Sequence, residues 1–161
     1  MGGTLLTFHV VISLIGIASG VVIAYDLLAG RLQRGITAVF LATTVLTSVT
    51  GFPLPATQIL PSHILGVLSL VLLALAIVGL YVFQLHGAWR WIYIASALAA
   101  FYFNVFVGVV QSFQKLAFLQ PLAPTQSEPP FIIAQVAVLL IFIAIGILAM
   151  KRFHPQATAR T

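Results

Sequence analysis

Cysteine is absent from this 161-residue chain, and aspartate and glutamate together number two, Asp26 and Glu128. The first absence excludes disulfides, thiolate metal sites and cysteine nucleophiles. The second leaves no paired carboxylates for glycosidic chemistry and no suitably spaced acid for a Ser-His-acid triad. Neither an HExxH pair nor a glycine-rich phosphate loop occurs. Only 6% of residues are charged while 61% are hydrophobic, and the mean hydropathy is +1.18. That balance is not the balance of a water-soluble domain.

The net charge of +5 comes from residues in short turns and in the tail, so nucleic acid is not an expected partner and membrane orientation explains the cations. His9 breaks the first apolar run early and no basic region precedes it, so a removable signal peptide is not expected. The remaining apolar runs approach or exceed the roughly 18 residues that cross a bilayer as a helix. They are too continuous for barrel strands, and backbone satisfaction in lipid then leaves helices. The expectation is an all-α, polytopic membrane protein: one domain over residues 1–152 with transmembrane helices at 5–29, 35–52, 63–85, 91–118 and 131–150, and a short tail at 153–161.

The turns carry their own punctuation. Gly30 closes the first span, Pro53, Pro55 and Pro61 mark a compact uncharged turn, and Arg90 sits between Trp89 and Trp91 as at a membrane interface. Arg31, Arg34, Arg90, Lys151, Arg152 and Arg160 fall at alternate ends, whereas the opposite ends hold only Lys115 and Glu128. The positive-inside rule therefore puts the amino terminus outside and the carboxyl terminus in the cytoplasm of a cell with this protein in its inner membrane. Asp26 is expected to pair with Arg31 or Arg34, and Glu128 to meet Lys115 as an exposed ion pair.

The most informative stretch is FYFNVFVGVVQSFQKLAFLQ, residues 101–120. Asn104, Gly108, Gln111 and Lys115 recur at helical spacing on one stripe of an otherwise apolar helix, where polar side chains ordinarily face a protein interior or a cavity. At about 1.5 Å per residue, His9 lies about 33 Å from Arg31, Gln111 about 31 Å from Arg90, Gln135 about 25 Å from Arg152, and Asn104 about 21 Å from Arg90. His63 and Lys115 come slightly nearer the outer interface. Four helices can thus bring polarity to the outer half, giving a candidate pocket of His9, His63, Asn104, Gln111 and Lys115. The threonine stripe Thr37, Thr44, Ser48 and Gly51 of the second helix reads as a packing surface.

Two imidazoles on the same side of the bilayer suit a b-type haem, with His9 and His63 as axial ligands, provided helix tilt and side-chain reach absorb their difference in depth. In the layout of His9, His63, His86 and His154 the chain resembles the small multi-pass bacterial cytochrome b families, and more loosely the two-haem ascorbate-dependent transmembrane cytochromes. The resemblance implies bis-histidine ligation at His9 and His63; the reading favoured for the chain is a haem- or quinone-linked membrane component of electron transfer. It departs from the two-haem pattern because the second and fourth helices supply no histidine. The same cluster also suits a quinone, whose head would bond His9, Gln111 or Lys115 and whose ring would lie against Phe101, Phe103 and Phe106. A non-catalytic accessory or assembly subunit, alone as a homo-oligomer or with membrane partners, remains an alternative, since Gly16, Gly20, Gly108 and Gly146 allow close helix contact. A small-solute transporter is a further one, without the broken helices or midplane carboxylates that carriers use.

Overall fold

The computed structural model describes residues 2–54 and 61–155. The proline-marked turn through 55–60 and the tail from 156 onward lie outside those residues. The described chain is all-helical: α1 (Gly2–Leu28), α2 (Arg34–Gly51), α3 (Pro61–Ile77), α4 (Ala88–Lys115) and α5 (Pro129–Arg152). Segments of α1, α4 and α5, and α3 taken together with the helical turn that continues it to Val82, are long and apolar enough to cross a bilayer, while α2 is less apolar and threonine-rich. The outward faces are hydrocarbon, as at Ile133 and Leu140, 66% and 60% exposed. Such surface fits a lipid solvent and a polytopic membrane bundle.

Local chemistry explains how α2 tolerates its hydroxyls. Thr37 donates to the Gln33 carbonyl at 2.8 Å, Thr43 to Val39 at 2.7 Å, Ser48 to Thr44 at 2.9 Å and Thr50 to Leu46 at 2.7 Å, so these protons are satisfied one turn back. The helix ends differ from the expected ones for local reasons. α5 begins two residues earlier than expected, with Glu128 as its N-cap and prolines at its first positions, where a missing N–H costs nothing. α4 stops at Lys115, short of residue 118, because Leu116 turns extended with ψ of 120°. α3 gives way to a π-helical turn at Val78–Val82, and Gln84 and Leu85 then take positive φ, which ends the helix before residue 85.

Neighbouring helices run antiparallel. His9 near the start of α1 meets Thr50 near the end of α2, and Arg90 at the start of α4 donates to the Phe153 carbonyl beyond α5 at 2.6 Å. One end of the bundle therefore gathers Arg31, Arg90 and Arg152, and the other gathers His9, His63 and Lys115. α1 packs on α2, α4 and α5, and α3 packs on α2 and α4, so α2 and α4 separate α1 from α3.

The buried core occupies the arginine half. In α4 the buried positions run from Tyr93 to Phe101 and then skip to Phe113; in α2 they run from Thr37 to Thr44. Phe101 is held edge-on by Phe40 at 6.0 Å and by Phe142 at 5.0 Å between ring centres. Gly20 lets α1 approach this ring, since a Cβ there would overlap it. Asp26 is buried and accepts from both Gln33 Nε2 contacts, at 2.8 and 2.9 Å, and from Arg31 at 3.3 Å. The expected pairing with a nearby arginine is thus made, with Gln33 as an additional donor.

Candidate functional site

Packing loosens beyond Phe101, and the histidine half of the bundle encloses a cavity of about 540 Å³. That volume lies within the range of small-molecule and cofactor sites. His9, His63, Asn104, Gln111 and Lys115 all line it, drawn from α1, α3 and α4. The helical stripe on α4 accounts for the last three, which succeed one another about every two turns or one turn along a single face.

Asn104 forms the floor. Its Nδ2 donates to the Thr44 hydroxyl at 3.3 Å, and Gly16 of α1 lies against the same amide, where a Cβ would sit 3.2 Å from Nδ2. Below this level Phe40 and Phe101 close the bundle. The mouth lies at the opposite end, where Gly3, Leu54 and Lys115 contribute to the wall. The walls between are mostly apolar, with Leu6, Leu65, Phe103 and Val107 among them.

The two histidines differ. His9 Nδ1 lies 2.9 Å from the Thr50 hydroxyl, whose own proton goes to the Leu46 carbonyl at 2.7 Å. The Thr50 oxygen therefore accepts from His9, which assigns the ring proton to Nδ1 and leaves Nε2 with a free lone pair. His63 packs its ring against Phe52, 5.7 Å away between centres. Its Nδ1 is buried and has no hydrogen-bond partner among the described residues.

Gln135, which depth puts in the same half, makes an interhelical hydrogen bond: its Nε2 donates to the Phe106 carbonyl at 3.2 Å across the α4–α5 seam, and no α5 residue lines the cavity. Other expectations are corrected. Of the three phenylalanines expected along a bound ring, Phe103 lines the cavity, Phe101 belongs to the core, and Phe106 packs on Tyr102 at 6.1 Å. Glu128 does not meet Lys115. It accepts from the Thr125 hydroxyl at 2.7 Å and from the Thr125 and Ser127 amides. The Thr125 hydroxyl bond is the main reason its carboxyl is held below the usual glutamate range.

The sequence also left part of the wall unclaimed. Ser48 and Gly51 of α2 line the cavity in addition to packing, and so do Gly66 and Ser69 of α3 and Gln114 of α4. Small and hydroxylic residues one turn apart on α3 were the available signal. Gln114 also borders a second cavity of about 280 Å³ formed with Gln120, Thr125 and Gln126.

His86 and His154 stand outside the site. His86 Nδ1 bonds the Phe83 carbonyl at 2.8 Å in the turn before α4, and His154 is exposed beyond α5. Among the described residues no three histidine or acidic side chains cluster as ligands of a bare metal ion. Two imidazoles on one cavity are the donor set that axial haem ligation asks for, and here they come from helices on opposite sides of the bundle. No protein-family model, curated protein or solved structure matches this chain.

Proposed function

We propose that this protein is a redox component of a cell inner membrane, crossing it five times with the amino terminus outside, that binds a quinone in the cavity at its outer end. The observation that carries this reading is the cavity of about 540 Å³ itself, whose mostly apolar wall carries His9, His63, Gln111 and Lys115. The ring of a quinone suits the apolar surface that Phe103 and Val107 give this wall. His9 offers a lone pair at Nε2 for a reduced, hydroxyl-bearing head, while Gln111 and Lys115 offer donors to an oxidised, carbonyl-bearing one. The isoprenoid tail of such a ligand is at home in the bilayer around the bundle.

The test is binding of decylubiquinone to the protein in nanodiscs by equilibrium dialysis. Saturable binding that weakens about tenfold in His63→Ala, a loss of about 1.4 kcal/mol, supports the reading. Binding equal to that of empty nanodiscs overturns it.

A haem b is the second reading, favoured by the placement of His9 and His63 on separate walls of one cavity. The Nδ1 bond of His9 to Thr50 is the kind of outer partner that orients a ligating imidazole. His9 and His63 would hold the iron, and the group would supply one-electron transfer when bound. Sharp α and β bands in the dithionite-reduced spectrum, lost in His9→Ala and His63→Ala, support it. A blank spectrum from folded protein expressed with ample iron and haem precursor overturns it. Protein that binds neither group is then read as an accessory or assembly subunit, while the packed arginine half weighs against a transport path.

A further inference from the structure

Among the described residues Lys115 is the only lysine or arginine at the end of the bundle that holds His9 and His63. It lines the cavity at its mouth, together with two histidines and the amides of Gln111 and Gln114. No carboxylate lines that wall. Both acids of the sequence are committed elsewhere: Asp26 to Gln33 and Arg31 at the opposite end of the bundle, and Glu128 to Thr125 and Ser127 in its own loop.

The geometry of α4 explains why Glu128 does not serve as the counter-ion. Phe113 meets Phe131 of α5 edge-on at 5.5 Å between ring centres, which marks the side of α4 that faces α5. Lys115, two residues on, lies about 200° round the helix from it, on the side of the cavity. A cation near the last turn of a helix is stabilised by the backbone carbonyls there. That accounts for a lysine at this position, and it does not account for a wall that presents donors and a cation with no anion. Beside a largely apolar surface, an ammonium without a counter-ion favours a ligand that brings one.

Resting on the quinone reading above, we infer that the cavity selects quinones whose ring carries an ionised acidic hydroxyl over neutral quinones, with Lys115 as the counter-ion in the site. The selectivity is electrostatic and needs no change in the apolar walls.

The matched probes are 2-hydroxy-1,4-naphthoquinone, an anion at neutral pH, and 2-methyl-1,4-naphthoquinone, neutral and of nearly the same shape. Each is titrated by equilibrium dialysis against the full chain in nanodiscs of zwitterionic lipid, with empty nanodiscs subtracted. The expected result is tighter binding of the hydroxy compound by about tenfold. Lys115→Gln removes that preference by weakening the hydroxy probe about tenfold more than the neutral one, Lys115→Arg keeps it, and Lys151→Gln at the far end has no effect. Equal binding of the two probes overturns the inference and leaves the quinone reading standing. A preference that Lys151→Gln erases as fully as Lys115→Gln overturns it as well, because it then reflects net charge. If neither probe nor decylubiquinone binds above empty nanodiscs, the quinone reading itself fails and the inference with it.

Discussion

The hydroxyl oxygen of Thr50 lies 2.9 Å from Nδ1 of His9, joining the start of α1 to the end of α2 across 41 residues of sequence. Because the Thr50 proton is used by Leu46, this contact fixes both the tilt and the tautomer of the imidazole. Thr50→Val removes the acceptor and keeps the shape. The expected outcome is an unchanged fold with ligand affinity reduced about fivefold, the equivalent of one hydrogen bond of about 1 kcal/mol. Nitrogen-15 NMR of the imidazoles should show the Nδ1–H form of His9 in the wild type and mixed tautomers in the variant.

Gly20 and Gly146 both interrupt apolar helices, yet alanine should have opposite effects at the two. At Gly20 the new methyl overlaps Phe101, a ring already held between Phe40 and Phe142. Overpacking of this kind costs about 1–3 kcal/mol, so Gly20→Ala lowers the melting temperature in detergent. Nothing lies within 4 Å of a Cβ at Gly146, and Gly146→Ala leaves stability unchanged or raises it by about 0.5–1 kcal/mol through the backbone term.

The proposed orientation is testable with single cysteines, because the chain has none of its own. Ser127→Cys, in the loop before α5, should react with a membrane-impermeant maleimide on intact cells. Ala88→Cys, at the start of α4, should react only after permeabilisation. The reverse pattern would invert the topology.

The loop ahead of α5 should loosen in acid. Hydrogen bonds from Thr125 and Ser127 favour the charged Glu128 carboxylate, so its pKa is lower in the folded loop than in the unfolded chain. The ordering contribution is therefore present above the ordinary glutamate pKa and is lost as the pH falls through the lowered value. Amide exchange at Thr125 and Ser127, corrected for intrinsic rates, should accelerate over that acidic window, and Glu128→Gln should abolish the change.

Helix positions were legible because length and hydropathy alone specify membrane helices, and the α4 stripe was legible because three polar side chains at helical spacing cannot all face lipid. The direction of α5 was not. A helix apolar on every side carries no periodicity to say which face meets α4, so Gln135 could be placed by depth and not by azimuth. The share of the wall taken by α2 and α3 was hidden for a related reason. Thr44 and Thr37 pack while Ser48 and Gly51 line the cavity, and hydroxyls that satisfy themselves on the previous turn look alike in either role. Helix ends moved where local backbone geometry outweighed hydropathy, as at Leu116 and the π turn of Val78–Val82.

The edge-to-face contact of Phe40 with Phe101 also has an electrical consequence. In the proposed orientation, a vestibule open to water carries the outer bulk potential down to Asn104, so most of the transmembrane voltage falls across the packed half beneath it. Moving a unit charge through that full drop is worth about 2.3 kcal/mol per 100 mV, but a charge that enters the vestibule crosses little of it. Under that reading ligand capture at this site is insulated from the energised state of the membrane, with the two rings lying in the layer across which the voltage falls.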